Sequence, residues 1–259
     1  MNNHLSLRSG NPTLNAKTFS GFDLTTEQSM TISGTVYKTA LSLLLLMSAS
    51  LFTWNLPVGD PRSSGLMMVG MLGGFILALV TIFKQHLAKY TVPAYSILQG
   101  LALGGISKFF ETMYPGIVTQ AVMLTFGTLG ALLLAYVSGL IKPTENFKLG
   151  LFAATGGIAI VYLISFIMSF FGASMPVMNP GNSSLLSIGF SLFVVVIASL
   201  NLVMDFDFIE HGAENGAPKY MEWYGAFGLL VTLIWLYLEI LRLLAKFCLL
   251  YTSPSPRDS

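Results

Sequence analysis

The sequence predicts an all-α membrane protein that is built as a bundle of seven transmembrane helices. Of its 259 residues, 54% are hydrophobic and only 10% are charged, whereas a soluble domain carries about 25% charged residues. The hydrophobic residues form seven separate runs of roughly 20 residues, the length that a helix needs to cross the hydrocarbon core. The runs are continuous rather than alternating, which favours helices over membrane strands.

The first three helices are predicted over roughly 36–56, 65–83 and 92–110. The first run ends before a connector with two prolines, which disfavour a continuing helix. The third run is the least apolar and contains Gln99 and Lys108. We therefore expect the third helix to face other helices rather than lipid.

The remaining four helices are predicted over roughly 117–139, 149–171, 185–209 and 220–246, between short connectors that contain Pro or Gly. The sixth run differs from the others because it ends in an acidic segment, NLVMDFDFIEHG, residues 201–212. The connector to the seventh run has only about ten residues, so we expect the last two helices to be antiparallel neighbours.

Glycines recur inside the second and third runs at the spacing G-x-x-x-G, as Gly70 with Gly74 and Gly100 with Gly104. Because glycine has no side chain, such positions let helix backbones approach closely, which is how helices associate in lipid. We therefore expect close packing at these glycines, an inference that concerns packing and not chemistry.

The distribution of Lys and Arg predicts the orientation of the chain in the membrane. With a cytoplasmic N-terminus, the inner side holds Arg8, Lys17, Lys38, Lys84, Lys89, Lys142, Lys148 and Lys219, and the outer side holds Arg62, Lys108, Arg242 and Lys246. The majority on the inner side favours this orientation.

Both ends of the chain differ from the transmembrane domain, which is predicted over residues 35–247. Residues 1–34 are polar and are predicted to form a flexible cytosolic tail, without a cleavable secretory signal. Residues 248–259 are predicted to be non-native, because CLLYTSPSPRD reads as the in-frame translation of a transposase-type sequencing adapter. We therefore expect the native sequence to stop being legible near Phe247.

Three acidic residues, Asp205, Asp207 and Glu222, lie where the last two helices approach the cytoplasmic surface. Asp205 and Asp207 point roughly 200° apart around a helix, so we expect one to face the bundle and the other the interface. The helix C-terminus is negative and therefore a poor partner for an anion. With Glu222 at a similar depth, the three can form a coupled cation- and proton-sensing set that binds calcium weakly. The alternative is that all three are solvated in the headgroup layer.

Glu239 lies about 25 Å along the seventh helix from Glu222 at 1.5 Å per residue, so it cannot join this set in a straight helix. Two interpretations are open. Glu239 can pair with Arg242, which lies three residues on and on the same face, or it can be a second cation- or proton-sensing position on an ion path. The residues favour the pair.

Several classes of function lack support in the sequence. The net charge of +1 gives no support for nucleic-acid binding. Three histidines without an H-E-x-x-H pattern argue against a zinc hydrolase, and no P-loop or G-x-S-x-G elbow is present. We therefore expect no enzyme activity and no cofactor other than a weakly bound calcium ion.

Three segments resemble the bacterial branch of the Bax inhibitor-1/YccA family. They are NPTLNAKTF, QGLALGGISKFFETMYPGIVTQAVMLTFG and NLVMDFDFIEHGAENGAPKYMEWYGAFGLLVTLIWLYLEILRLL. The likeness covers nearly the whole chain up to about Phe247. It implies a seven-helix bundle in which the other helices surround the last one. It also implies that the bundle lies among the lipids of a bacterial inner membrane.

The resemblance also implies a function. Family members are described as pH-sensitive calcium leak channels, in which an aspartate of the sixth helix interacts with an aspartate of the seventh. The sixth-helix acid here is Asp205 or Asp207, and the seventh-helix acid is Glu239 by the letters of WLYLEIL or Glu222 by depth. A leak for calcium and protons is therefore the leading hypothesis. The alternative, implied by the YccA branch, is an adaptor that binds a membrane-anchored AAA protease through the N-terminal tail.

Overall fold

The structure, a computed structural model, describes residues 29–57 and 59–252, with only the backbone for residues 251 and 252. Within these residues the all-α prediction is confirmed, and seven α-helices follow the order of the seven apolar runs. They are α1 (Ile32–Trp54), α2 (Pro61–Phe83), α3 (Ala88–Met113), α4 (Ile117–Val137), α5 (Glu145–Phe170), α6 (Leu185–Glu214) and α7 (Met221–Thr252). Single-turn 3₁₀ helices, Gln85–Leu87 and Pro176–Met178, lie in the connectors before α3 and α6.

In the described part of the chain, six of the seven helices are long and apolar enough to cross a membrane, and α3 is the exception. α3 contains Pro93, and its buried side chains include the polar residues Thr91, Ser96 and Ser107. This burial agrees with the expectation that the third helix faces other helices. The pattern is that of a multi-pass membrane protein.

Three helices begin at residues whose side chains suit a helix N-terminus. Thr31, Asp60 and Thr144 precede α1, α2 and α5, and each side-chain oxygen accepts a hydrogen bond from a backbone N–H of the first turn. Pro61 follows Asp60 at the first helical position, where its missing N–H costs nothing. The local sequence therefore fixes where these helices start.

α6 continues past its apolar run and ends in a Schellman motif. The N–H of Gly216 donates to the carbonyl of Ala213 at 3.2 Å, and the N–H of Ala217 donates to the carbonyl of Gly212 at 2.9 Å. Gly216 has a φ of 64°, a left-handed conformation that glycine adopts without strain. The turn into α7 is thus encoded by one glycine.

The described chain divides into two compact units, and α6 and α7 each contribute to both. The first unit comprises residues up to 109 together with 204–231, and the second comprises 110–203 together with the residues from 232 onward.

The ends of the membrane domain differ from the predicted boundaries. α7 continues to Thr252 and so enters the segment that is predicted to be adapter-derived. Residues 1–28 of the predicted tail and residues 253–259 lie outside the described residues. The non-native origin of the C-terminal segment stays a prediction.

Glycines of α2 and α3 lie where helices of the first unit touch. A Cβ added to Gly70 would collide with the backbone of Leu98, and one added to Gly104 would collide with the backbone carbonyl of Ser50 in α1. The predicted close packing is confirmed at these positions. Here a side chain would force helix backbones apart, because backbone atoms cannot move aside as a flexible side chain can.

Substitution of Gly104 with alanine is therefore expected to lower the free energy of unfolding by about 1–3 kcal/mol, the usual cost of overpacking. Gly127 of α4 provides the matched control, because a Cβ there meets nothing within 4 Å. Gly127→Ala should be neutral or stabilising, since alanine favours a helix by up to about 1 kcal/mol over glycine. Thermal unfolding in detergent micelles compares the two, and equal effects would contradict the packing described.

Candidate functional site: buried acids of α6 and α7

Glu222 lies in the first turn of α7, and its side chain is only 1% exposed. Lys38 of α1 forms an ion pair with its Oε2, and the Nζ of Lys219 lies 2.9 Å from its Oε1. The backbone N–H and the hydroxyl of Thr31 both donate to Oε1, at 2.9 and 2.8 Å. Two ammonium groups and two neutral donors thus hold one carboxylate and compensate the burial of its charge.

The same carboxylate completes the N-terminal cap of α1. In a capping box, the third helical residue is Glu or Gln, and its side chain returns to the N–H of the N-cap residue. Here the hydroxyl of Thr31 accepts the N–H of Gly34 at 3.0 Å, but Gly34 at the third position has no side chain to return. Glu222 of another helix accepts the Thr31 N–H instead. A Cβ on Gly34 would collide with the Glu222 carboxylate, so glycine leaves the space that this cap needs.

The two residues before Thr31 fasten the start of α1 to the connector between α6 and α7. The N–H of Met30 donates to the carbonyl of Ala217 at 2.6 Å, and Ser29 forms an isolated antiparallel bridge with Pro218. Met30 is 2% exposed. The beginning of α1 and the beginning of α7 are therefore joined through both backbone and side chains.

This arrangement changes the boundary of the predicted N-terminal tail. The tail was expected to include residues 1–34, but Met30 is buried and α1 begins at Ile32. The last residues of the predicted tail thus belong to the folded domain. The flexibility predicted for residues 1–28 stays a prediction, because those residues lie outside the described ones.

Asp205 and Asp207 of α6 are both buried, at 1% and 8% exposure. The expectation that one of them faces the interface is wrong, and so is the alternative that these acids are solvated in the headgroup layer. Residues 201–209 are all buried, so this part of α6 is covered on every side. His211 lies one turn further on, with Nδ1 3.4 Å from Asp207 Oδ1 and 2.9 Å from the Asp207 backbone carbonyl.

The three acids do not form the predicted calcium site. Across residues 29–57 and 59–252, no group of three or more His, Cys, Asp or Glu side chains is arranged to hold a metal ion. One reason is that Lys38 and Lys219 already neutralise Glu222, so its carboxylate offers little net charge to a cation. Another is that Asp205 and Asp207 diverge around α6. The three side chains are therefore not gathered into one metal site, and weak calcium binding by the protein stays a prediction.

Glu239 lies in the second unit and is 2% exposed. Arg242 donates through Nη1 to both oxygens of its carboxylate, at 2.8 and 3.1 Å, which confirms the same-face pair. Tyr162 of α5 donates its hydroxyl to Oε1 of Glu239, and the centre of its ring lies 5.8 Å from the Arg242 guanidinium. Glu239 thus belongs to a compact polar network, and its role as a cation sensor stays a prediction.

Comparison with known families assigns the chain. A family model described as Bax inhibitor 1 like matches residues 11–248. The chain belongs to the Bax inhibitor-1-like family. The predicted relation to Bax inhibitor-1 is thus confirmed, and the placement in its bacterial branch stays a prediction. No curated protein matches this Bax inhibitor-1-like chain.

The sequence of this Bax inhibitor-1-like protein does not predict most of the donors that bind its buried carboxylates, because these donors lie far away along the chain. Thr31 and Lys38 reach Glu222 across 191 and 184 positions, and Tyr162 reaches Glu239 across 77 positions. No local spacing indicates such contacts. Lys219 was within reach of sequence reasoning, because residues three apart in a helical turn are neighbours.

Proposed function

We propose that this Bax inhibitor-1-like protein provides a pH-sensitive leak pathway for cations, with calcium and protons as the transported ions. The observation that carries the proposal is the burial of Asp205 and Asp207 in α6, a helix that is long and apolar enough to cross a membrane. Acidic side chains in such segments are costly, and they commonly mark ion pathways and proton relays.

Asp205 and Asp207 suit a pH response better than the other two buried acids. Glu222 is held by Lys38 and Lys219, and its protonation would break two ion pairs and weaken the cap of α1. Glu239 is held by Arg242 in the same way. Asp207 instead lies beside a histidine, the side-chain type whose charge changes most readily near neutral pH. The proposed pH response therefore belongs to α6.

The membrane and orientation of this pathway are part of the proposal. The excess of Lys and Arg on one side of the helices supports a cytoplasmic N-terminus, and the resemblance to the YccA branch supports a bacterial inner membrane. In this orientation the C-terminal end of α6 and the start of α7 lie at the cytoplasmic side, where Asp205 and Asp207 can respond to cytoplasmic pH.

Calcium flux into liposomes tests the proposal. The full chain is reconstituted with a calcium-sensitive dye inside, and flux is measured between pH 5.5 and pH 8 against protein-free liposomes. We expect flux above the protein-free level that changes reproducibly with pH. Flux equal to that of protein-free liposomes at every pH would overturn the proposal.

We propose as a second function that the N-terminal tail binds a membrane-anchored AAA protease. The supporting observation is that Ser29 and Met30 are fastened to the connector between α6 and α7, so residues 1–28 precede a fixed point of the folded domain. A partner can then engage this segment without unwinding α1. The two functions can coexist in one protein.

Deletion of residues 1–28, with Ser29 and Met30 kept, separates the two functions. We expect the deleted chain to keep its calcium flux and to lose co-purification of the protease. Equal co-purification of the protease with the full and the deleted chain, or none with either, would contradict the adaptor role.

A further inference from the structure

The ammonium group of Lys246, in the last turns of α7, is surrounded by neutral oxygen atoms. Lys246 is 0% exposed. Its Nζ donates to the carbonyl of Val177 at 2.8 Å, the carbonyl of Ser187 at 3.1 Å and the hydroxyl of Ser191 at 2.8 Å. A lysine ammonium has three N–H donors, so these three oxygens match its full capacity. We call them the oxygen cage.

The oxygen cage is assembled from two segments, and α7 supplies the cation. Val177 lies in the 3₁₀ turn before α6, and Ser187 and Ser191 lie in the first two turns of α6. Both serines are buried, at 0% and 1% exposure. The hydroxyl of Ser187 also donates to the Val177 carbonyl at 3.3 Å, which links the two segments independently of Lys246.

The chemistry of the cage is that of a site for a dehydrated monovalent cation. A buried charge is costly unless something replaces its hydration, and rings of carbonyl oxygens do this for potassium in ion channels. An ammonium group and a potassium ion carry the same charge and have similar size. Calcium fits the cage poorly, because the cage holds no carboxylate to balance its double charge.

We propose that the oxygen cage of Val177, Ser187 and Ser191 is a monovalent-cation site in which the Lys246 ammonium is the permanently bound ion. The site is separate from the acids of α6, and its occupation does not depend on whether the protein conducts calcium. Removal of the ammonium should leave a site that accepts potassium or a small organic ammonium ion.

Thermal unfolding of the purified full-length Lys246→Ala variant in detergent micelles tests this site. Melting temperatures are compared in potassium chloride, n-butylammonium chloride and choline chloride at equal ionic strength. We expect the wild type to melt at the same temperature in all three salts. The variant should melt lower in choline and gain roughly 3 °C or more when potassium or butylammonium reaches about tenfold over its Kd. An equal response of the variant to all three salts would overturn the proposal.

Two further variants test whether the potassium response depends on the oxygen cage and on the position of the substituted lysine. Lys246→Ala combined with Ser191→Ala removes one oxygen of the cage and should lose most of the potassium response. Lys142→Ala, at an exposed lysine between α4 and α5, should melt like the wild type in every salt.

If Lys246→Ala does not fold in choline, Lys246→Ser is measured in its place, because its hydroxyl leaves a polar, hydrated space. Failure of both Lys246 variants to fold even with potassium or butylammonium would also overturn the proposal.

Discussion

Replacement of Glu222 with alanine is expected to lower the free energy of unfolding by about 3–5 kcal/mol, the usual cost of removing one partner from a buried ion pair. The Lys38 side chain, 16% exposed, would lose its carboxylate partner, and the N–H of Thr31 would lose its acceptor. The start of α1 would therefore lose its side-chain connection to the start of α7 and keep the backbone contacts of Ser29 and Met30. Thermal unfolding in detergent micelles measures the loss, and we expect a large fall in melting temperature.

Two variants control this prediction. Glu222→Gln keeps an acceptor for Thr31 but loses the charge. Its free energy of unfolding should therefore lie between those of the wild type and Glu222→Ala. Lys219→Met should cost no more than about 1 kcal/mol, because the Lys219 side chain is 53% exposed and water replaces it readily. If Glu222→Ala unfolds no more easily than Lys219→Met, the carboxylate does not hold α1 in place.

Replacement of Gly34 with alanine is expected to lower the free energy of unfolding by about 3 kcal/mol, similar to the loss from Glu222→Ala. The reason is that the new methyl group expels the Glu222 carboxylate from the same donors. A Cβ at Gly34 would collide with both carboxylate oxygens. The Glu222 side chain is flexible at its end, but Thr31, Lys38 and Lys219 fix the position of that end. The side chain can move aside only by giving up these partners. Melting temperatures of Gly34→Ala and the wild type measure this cost.

A double-mutant cycle separates this mechanism from a general intolerance of Gly34 to substitution. In the Glu222→Ala background the collision no longer exists, so Gly34→Ala should become neutral or stabilise the helix by up to about 1 kcal/mol. The two substitutions should thus be strongly non-additive. If Gly34→Ala lowers the free energy of unfolding equally in both backgrounds, then the glycine is not required to make space for the Glu222 carboxylate.

The sequence predicts the helices well because continuous apolar runs of this length have few alternatives in a membrane. It places their ends less well. α6 continues beyond its apolar residues to Glu214, since polar residues such as glutamate also favour a helix, and the chain turns only at Gly216. The apolar pattern records where lipid or protein covers the helix, and not where the backbone hydrogen bonds stop.

The candidate site was only partly predictable. Asp205, Asp207, Glu222 and Glu239 stand out because acids are rare in apolar runs, and all four are buried. Their partners could not be read from spacing, since Lys38 and Glu222 are 184 positions apart. The sequence does not show that Lys38 and Lys219 neutralise Glu222, so it overestimates how readily the three acids can share one cation. The burial of both aspartates was also missed, as one helix does not show how many neighbours cover it.

The pH dependence of calcium flux in a variant with both Asp205→Asn and Asp207→Asn tests the central claim most directly. The variant is reconstituted beside the wild type and Glu214→Gln, which removes an exposed acid from the same helix. Melting temperatures first establish that all three proteins are folded. We predict that flux through the double variant is nearly independent of pH between 5.5 and 8, whereas Glu214→Gln keeps the wild-type profile. A folded double variant with the wild-type pH profile would contradict the claim that the buried aspartates of α6 sense pH.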